Sequence, residues 1–270
     1  MGGQINNRCE KGWKDIIETQ KENCSELEEN LKTIIKLQKE EKSSPLSEAV
    51  QALQTFRKEL DKVIFPFIEF AQLIKLANKM GEEEYVYFDN IQLDISEKIL
   101  QSDNVEKALL NYIEKDAYKN ADIVIKMCEK NSLLNKYKSI FEQSVQTYKN
   151  EMYELAIVGF TSILDGLLAD VSGNIKDSIQ KRTRLIMDKL NLQIDLENKE
   201  YAFTTLGITF EKTMLIFAQC APFDKEEPEK LNRHWIMHGR SASRRTRLDC
   251  IKVIRMIYGL LILNEMCKEE

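Results

Sequence analysis

The chain has 270 residues, 43% of them apolar and 31% charged, the composition of a soluble globular protein with one large or two modest domains. With 10 Gly and 4 Pro, turn punctuation is sparse, which favours long helices over many short strands. The net charge of −5 is unevenly spread: from Asn174 onward there are 17 Lys+Arg against 14 Asp+Glu, and most of the arginines lie in that stretch.

In chain order, Trp13, Ile17, Cys24, Leu27, Leu31 and Ile34 step by threes and fours, with Gln20 and Gln38 at seam positions. This predicts a heptad-like first helix, either paired with another helix or packed as an ordinary amphipathic helix on its own domain. Ser44 and Pro45 are suited to start a second helix, with Leu46, Val50, Leu53, Phe56, Leu60 and Val63 as its stripe. Pro66 kinks or ends it. The apolar run from Val63 to Leu76 is too short, and too interrupted by Pro66, Glu69 and Lys75, to span a bilayer. Glu84–Phe88 is a short strand or extended linker, and 96–100, 104–113 and 117–129 are short helices.

A soft boundary near residue 130 divides an N-terminal helical region, 1–130, from a second domain, 131–270. Asn131-Ser132 is a cap before a long pattern that runs from Leu134 to Val171 and stops at Ser172-Gly173-Asn174. Helices are expected at 175–190 and 202–221. Pro228 then opens a short helix that Gly239 stops, and an apolar helix fills Ser243 to Cys267, with Ile251, Ile254, Ile257, Leu260, Leu261 and Leu263 inward. The fold class is all-α.

Both histidines of the chain, His234 and His238, lie in Leu231-Asn232-Arg233-His234-Trp235-Ile236-Met237-His238-Gly239. Histidine is the ordinary agent of proton transfer near neutrality, so general acid–base chemistry points here. One helical turn separates the two imidazoles, and the long side chain of Arg233 reaches the same region. A cation beside imidazoles suits cleavage of a phosphodiester by its own 2′-hydroxyl, which requires RNA and no metal. Arg240, Arg244, Arg245 and Arg247 are candidates to steer an RNA backbone, against the alternative of a solvated basic helix start. Asp165, on an apolar helix, is costly to bury alone and is expected to pair with Arg233 or a histidine. Trp235 reads as a core anchor.

The arrangement Arg233–polar–x–x–x–His238 near a helix start resembles the signature of the HEPN superfamily. The segment Tyr153–Gly173, with Asp165-Gly166-Leu167-Leu168 at its centre, is similar to the helix that such domains pack against the motif. The resemblance covers roughly residues 135–265. It implies a C-terminal helical bundle that homodimerises and acts as a metal-independent endoribonuclease leaving 2′,3′-cyclic phosphate, in prokaryotic defence or a toxin-like response. It makes Arg233 and His238 the essential pair, with His234 at a variable polar position and Asn232 and Asp165 supporting. The N-terminal half would then sense a trigger, bind an antitoxin or sensor partner, or extend the dimer.

Two other readings stand beside it. One is a non-catalytic helical interaction or RNA-binding module. The other is a metal-dependent hydrolase using His234 and His238 as ligands, with Asp165, Glu211 or Cys220 completing the set, although no local spacing supplies them. No glycine-rich phosphate loop or nucleophile elbow is present, and no cofactor is expected. The six scattered cysteines form no CxxC pair, and the expectation is a reducing, cytoplasmic setting with no membrane contact.

Overall fold

The computed structural model describes residues 72–86, 98–115, 118–193, 201–242 and 244–266. All belong to one compact unit running from Glu69 to Glu270. The heptad-like first helix and the Leu46–Val63 stripe lie outside the described residues.

Every regular element among the described residues is helical. The helices are α1 (72–82), α2 (Val105–Lys115), α3 (Lys119–Lys130), α4 (Lys138–Lys149), α5 (Tyr153–Ser172), α6 (Ile179–Gln193), α7 (Tyr201–Phe217), α8 (Arg233–Met237) and α9 (Arg247–Met266). A helical turn covers 98–101, and a 3-10 segment, Ser132–Tyr137, links α3 to α4.

Two long apolar helices, α5 and α9, organise the bundle. α5 packs against α4, α6, α8, α9 and the 3-10 segment, while α9 also meets α3 and α7. On α5 the residues Ile157, Phe160, Ile163, Leu164, Leu167 and Leu168 are buried. α9 is buried almost all round, as a helix without a continuous polar face must be. All six of its expected core residues are inside. Two of its charges are enclosed and satisfied: Lys252 reaches Glu106 at 3.1 Å, and Arg255 Nε donates to the Val86 carbonyl at 2.9 Å. Tyr153–Ser172 is long and apolar enough to cross a membrane, with half of it buried inside the bundle.

The caps follow local chemistry. Asn131 accepts from the Leu133 N–H and starts the 3-10 segment, and Gly173 ends α5 with φ 69°, a conformation that glycine adopts without a Cβ penalty. Thr246 and Asp249 hydrogen-bond reciprocally at the start of α9, in the manner of a capping box.

Three sequence expectations are corrected. Leu109, Ile113, Val124 and Cys128 share one core with Phe160 and Ile257, so residue 130 falls inside a compact unit and is no boundary. The pattern from Leu134 to Val171 is broken at 150–152, where Glu151 takes φ 60° and the chain reverses from α4 into α5. Glu84–Val86 form a turn and an irregular stretch, not a strand, with Glu84 at φ 59°; positions 87 and 88 lie outside the described residues.

Candidate functional site

The histidine motif sits at the end of an irregular stretch, 218–232, that follows α7. Pro228 does not open the helix. Asn232 does: its Oδ1 accepts from the N–H groups of His234 (3.1 Å) and Trp235 (3.2 Å), satisfying donors that a helix start leaves orphaned. The same side chain donates from Nδ2 to the Gln219 carbonyl at 2.8 Å. Asn232 thus both caps α8 and ties it to the preceding loop.

Two further pins hold the motif. The Leu231 N–H donates to Glu84 Oε2 at 2.9 Å, and the Trp235 indole N–H donates to the Ala221 carbonyl at 3.1 Å. Trp235 is buried, the anchor its sequence context suggested. α8 spans only five residues. It stops in a Schellman motif: Gly239 at φ 62° donates to the Ile236 carbonyl, and Arg240 N–H donates to the Trp235 carbonyl.

Asp165 lies between two guanidinium groups. Its Oδ2 accepts from Arg233 at 2.5 Å and its Oδ1 from Arg182 of α6 at 3.1 Å. Packing of α5 against both α6 and α8 brings the three charges together. The Nε atoms of Arg182 and Arg233 are buried without a hydrogen-bond partner.

The imidazoles are accessible: His234 is half-buried and His238 exposed. Their ring centroids are 4.6 Å apart, with the rings steeply inclined. Phe223, from the irregular loop, stacks on His234 at 4.3 Å with an interplanar angle of 6° and meets His238 edge-on at 5.5 Å. No hydrogen bond engages a ring nitrogen of either histidine among the described residues. Burial, reinforced by the positive charges of His238 and Arg233, holds the His234 pKa below the ordinary histidine value. His234 is therefore biased toward its neutral, proton-accepting form.

The four arginines expected to steer RNA divide. Arg244 is exposed, and Arg240, also exposed, lies over the Phe223 ring at 4.9 Å. Arg245 and Arg247 do not present free charge, which corrects that part of the expectation. Arg245 is largely enclosed and pairs with Glu227 at 2.6 Å. Arg247 pairs with Glu151 at 3.0 Å, donates to the Tyr153 hydroxyl at 3.0 Å and covers the Tyr118 ring.

Among the described residues no three His, Cys, Asp or Glu side chains converge as a metal-ligand set. Cys128 and Cys250 are buried, and burial pushes both thiols up, away from reactivity. Phe223, Arg182, Glu84 and Glu227 were missed as contributors to this region. Only Arg182 carried a signal, as a member of the arginine-rich stretch; the others act through contacts remote in sequence. Compared with family models, curated proteins and solved structures, the chain matches none.

Proposed function

We propose that the protein is a metal-independent endoribonuclease in which Arg233, His234 and His238 act on a single phosphodiester. The observation that carries this reading is that one short, firmly pinned helix and its C-cap present an oriented guanidinium and two accessible imidazoles whose nitrogens have no hydrogen-bond partner among the described residues. Burial of both histidines in apolar surroundings would have argued against it.

In the proposed reaction a neutral imidazole takes the 2′-hydroxyl proton as the 2′-oxygen bonds to phosphorus. His234 fits that role because its pKa is lowered. The bond from phosphorus to the 5′-oxygen breaks, and the second imidazole, His238, gives its proton to the leaving oxygen. The products are a 2′,3′-cyclic phosphate and a 5′-hydroxyl. Arg233 offsets the charge that builds on the phosphorane oxygens. Arg244 and Arg240 are the remaining cations for the RNA backbone.

A homodimer through the C-terminal domain belongs to the same reading. Leu155 (63% exposed) and Val158, three residues apart on α5, form an exposed apolar surface on the helix that also carries Asp165. The setting in prokaryotic defence or a toxin-like response, and an antitoxin or sensor partner, rest on the resemblance of the motif.

The test is RNA cleavage by the full-length wild type and His238→Ala in excess EDTA, with end-group analysis and a melting curve for each. Cyclic-phosphate ends that vanish in a folded His238→Ala support the proposal. Cleavage that EDTA abolishes, or that survives His238→Ala, overturns it.

A further inference from the structure

Catalytic imidazoles are ordinarily oriented by a hydrogen bond to the ring nitrogen that does not react. No such bond holds His234 or His238 among the described residues. α8 is too short to fix its side chains by neighbouring turns, since His234 stands in its first turn and His238 is already its C-cap. Some other contact must set the imidazole planes.

Phe223 makes that contact. Its ring is parallel to His234, edge-on to His238, edge-on to the buried Trp235 at 5.4 Å, and covered by the Arg240 guanidinium. Trp235 is itself fixed through its indole N–H to Ala221, two residues before Phe223 in the same loop. The loop therefore grips α8 twice, once through a backbone carbonyl and once through an aromatic face. Aromatic rings at such separations attract each other beyond the area they bury, which favours one rotamer of the half-buried His234 ring.

We infer that Phe223 is a positioning residue: it sets the plane of His234 by stacking, leaving both nitrogens of that imidazole free for proton transfer. A hydrogen-bonding partner would have occupied one of them. Phe223, stacked on His234, also adds to the burial that lowers the pKa of that imidazole, and with Arg240 over its ring it is no open platform for a nucleobase. The catalytic part of this role rests on the endoribonuclease reading; the stacking does not.

The chain has only two histidines, so its imidazole NMR signals can be assigned with one substitution. The experiment uses the full chain as wild type, Phe223→Leu and Phe223→Tyr. In the wild type the His234 ring protons should be shifted upfield by the parallel aromatic ring. Phe223→Leu should abolish that shift and raise the His234 titration midpoint, while Phe223→Tyr should retain both. On an RNA substrate Phe223→Leu should lower kcat by about ten- to a hundredfold, move the acidic limb of the pH profile upward and leave KM little changed, with Phe223→Tyr restoring the rate. A folded Phe223→Leu protein with unchanged His234 shifts and titration overturns the inference, as does one that cleaves like wild type when His234→Ala is inactive. The NMR arm decides the stacking even if no RNA is cut, so failure of the inference and failure of the ribonuclease reading remain distinguishable.

Discussion

Glu84 makes the stability of this bundle depend on pH in a direction opposite to that of most carboxylates. It is buried, held at φ 59°, and accepts the Leu231 N–H that leads into the histidine motif. Burial raises its pKa to about 7; Lys252 of α9, the Leu231 N–H and Lys230 pull it down, and Asp249 pushes it slightly up. Lys252 and Lys230 have other partners, Glu106 and Glu83, which limits what they give Glu84. A carboxyl held at about 7 in the fold and 4.5 in the unfolded chain is worth about 3 kcal/mol. The sign is fixed because the folded protein binds the proton more tightly. Glu84's contribution is present in full below about pH 4.5, declines as pH rises, and is lost once the folded group ionises near 7. Glu84→Gln keeps an oxygen for the Leu231 N–H but cannot ionise. Urea denaturation followed by circular dichroism should find the two proteins alike near pH 4, with Glu84→Gln ahead by up to ~3 kcal/mol near pH 8. Parallel stability curves for the two proteins across that range would refute the reasoning.

Other outcomes follow from the pins and the arginines. Asn232→Ala removes both the α8 cap and the bond to Gln219, and should cost about 1–2 kcal/mol in urea denaturation. Asn232→Asp, which keeps the cap but cannot donate to Gln219, should lose less. Arg244→Ala should weaken RNA binding without changing the melting temperature and reduce the salt dependence by about one counterion, whereas Arg247→Ala should lower the melting temperature through its lost contacts with Glu151 and Tyr153. Equal effects of the two arginine substitutions on binding would contradict that division.

What the sequence made legible was set locally. α9 shows its burial because no continuous polar face interrupts it, and Gly239 marks the end of α8 because a left-handed residue is needed there. The pairing of Asp165 was readable from the expense of a lone carboxylate on an apolar helix. The break between α4 and α5 was not readable: no Gly or Pro marks it, and a glutamate takes the left-handed turn. Pro228 misled for a related reason. The stretch before Asn232 stays irregular because tertiary partners, not an extra helical turn, satisfy key backbone groups there. Glu84, which receives the Leu231 N–H, is 147 residues away. The same distance problem hid the neutralisation of Arg245 and Arg247 by Glu227 and Glu151, and no periodicity announces a single loop phenylalanine as the ring that orients an imidazole.

The arrangement around Asp165 resolves a conflict that any anion site built on arginine must face. A flexible guanidinium needs a carboxylate to hold it, but a carboxylate bound to one arginine cancels the charge that would attract an anion. Here Asp165 is shared, with one oxygen on Arg233 and the other on Arg182. Two cations against one anion leave a positive surplus, so Arg233 is oriented without being neutralised. Arg182 is itself fixed by the Ile175 carbonyl and is the more enclosed of the two, which leaves Arg233 as the arginine nearer solvent, with its charge acting on His234. An oriented, still-positive guanidinium whose charge reaches His234 is what the proposed reaction, passing through a highly charged phosphorane, requires. Asp165 and Arg182 therefore belong to the candidate site as much as the motif helix does, although both lie outside the motif.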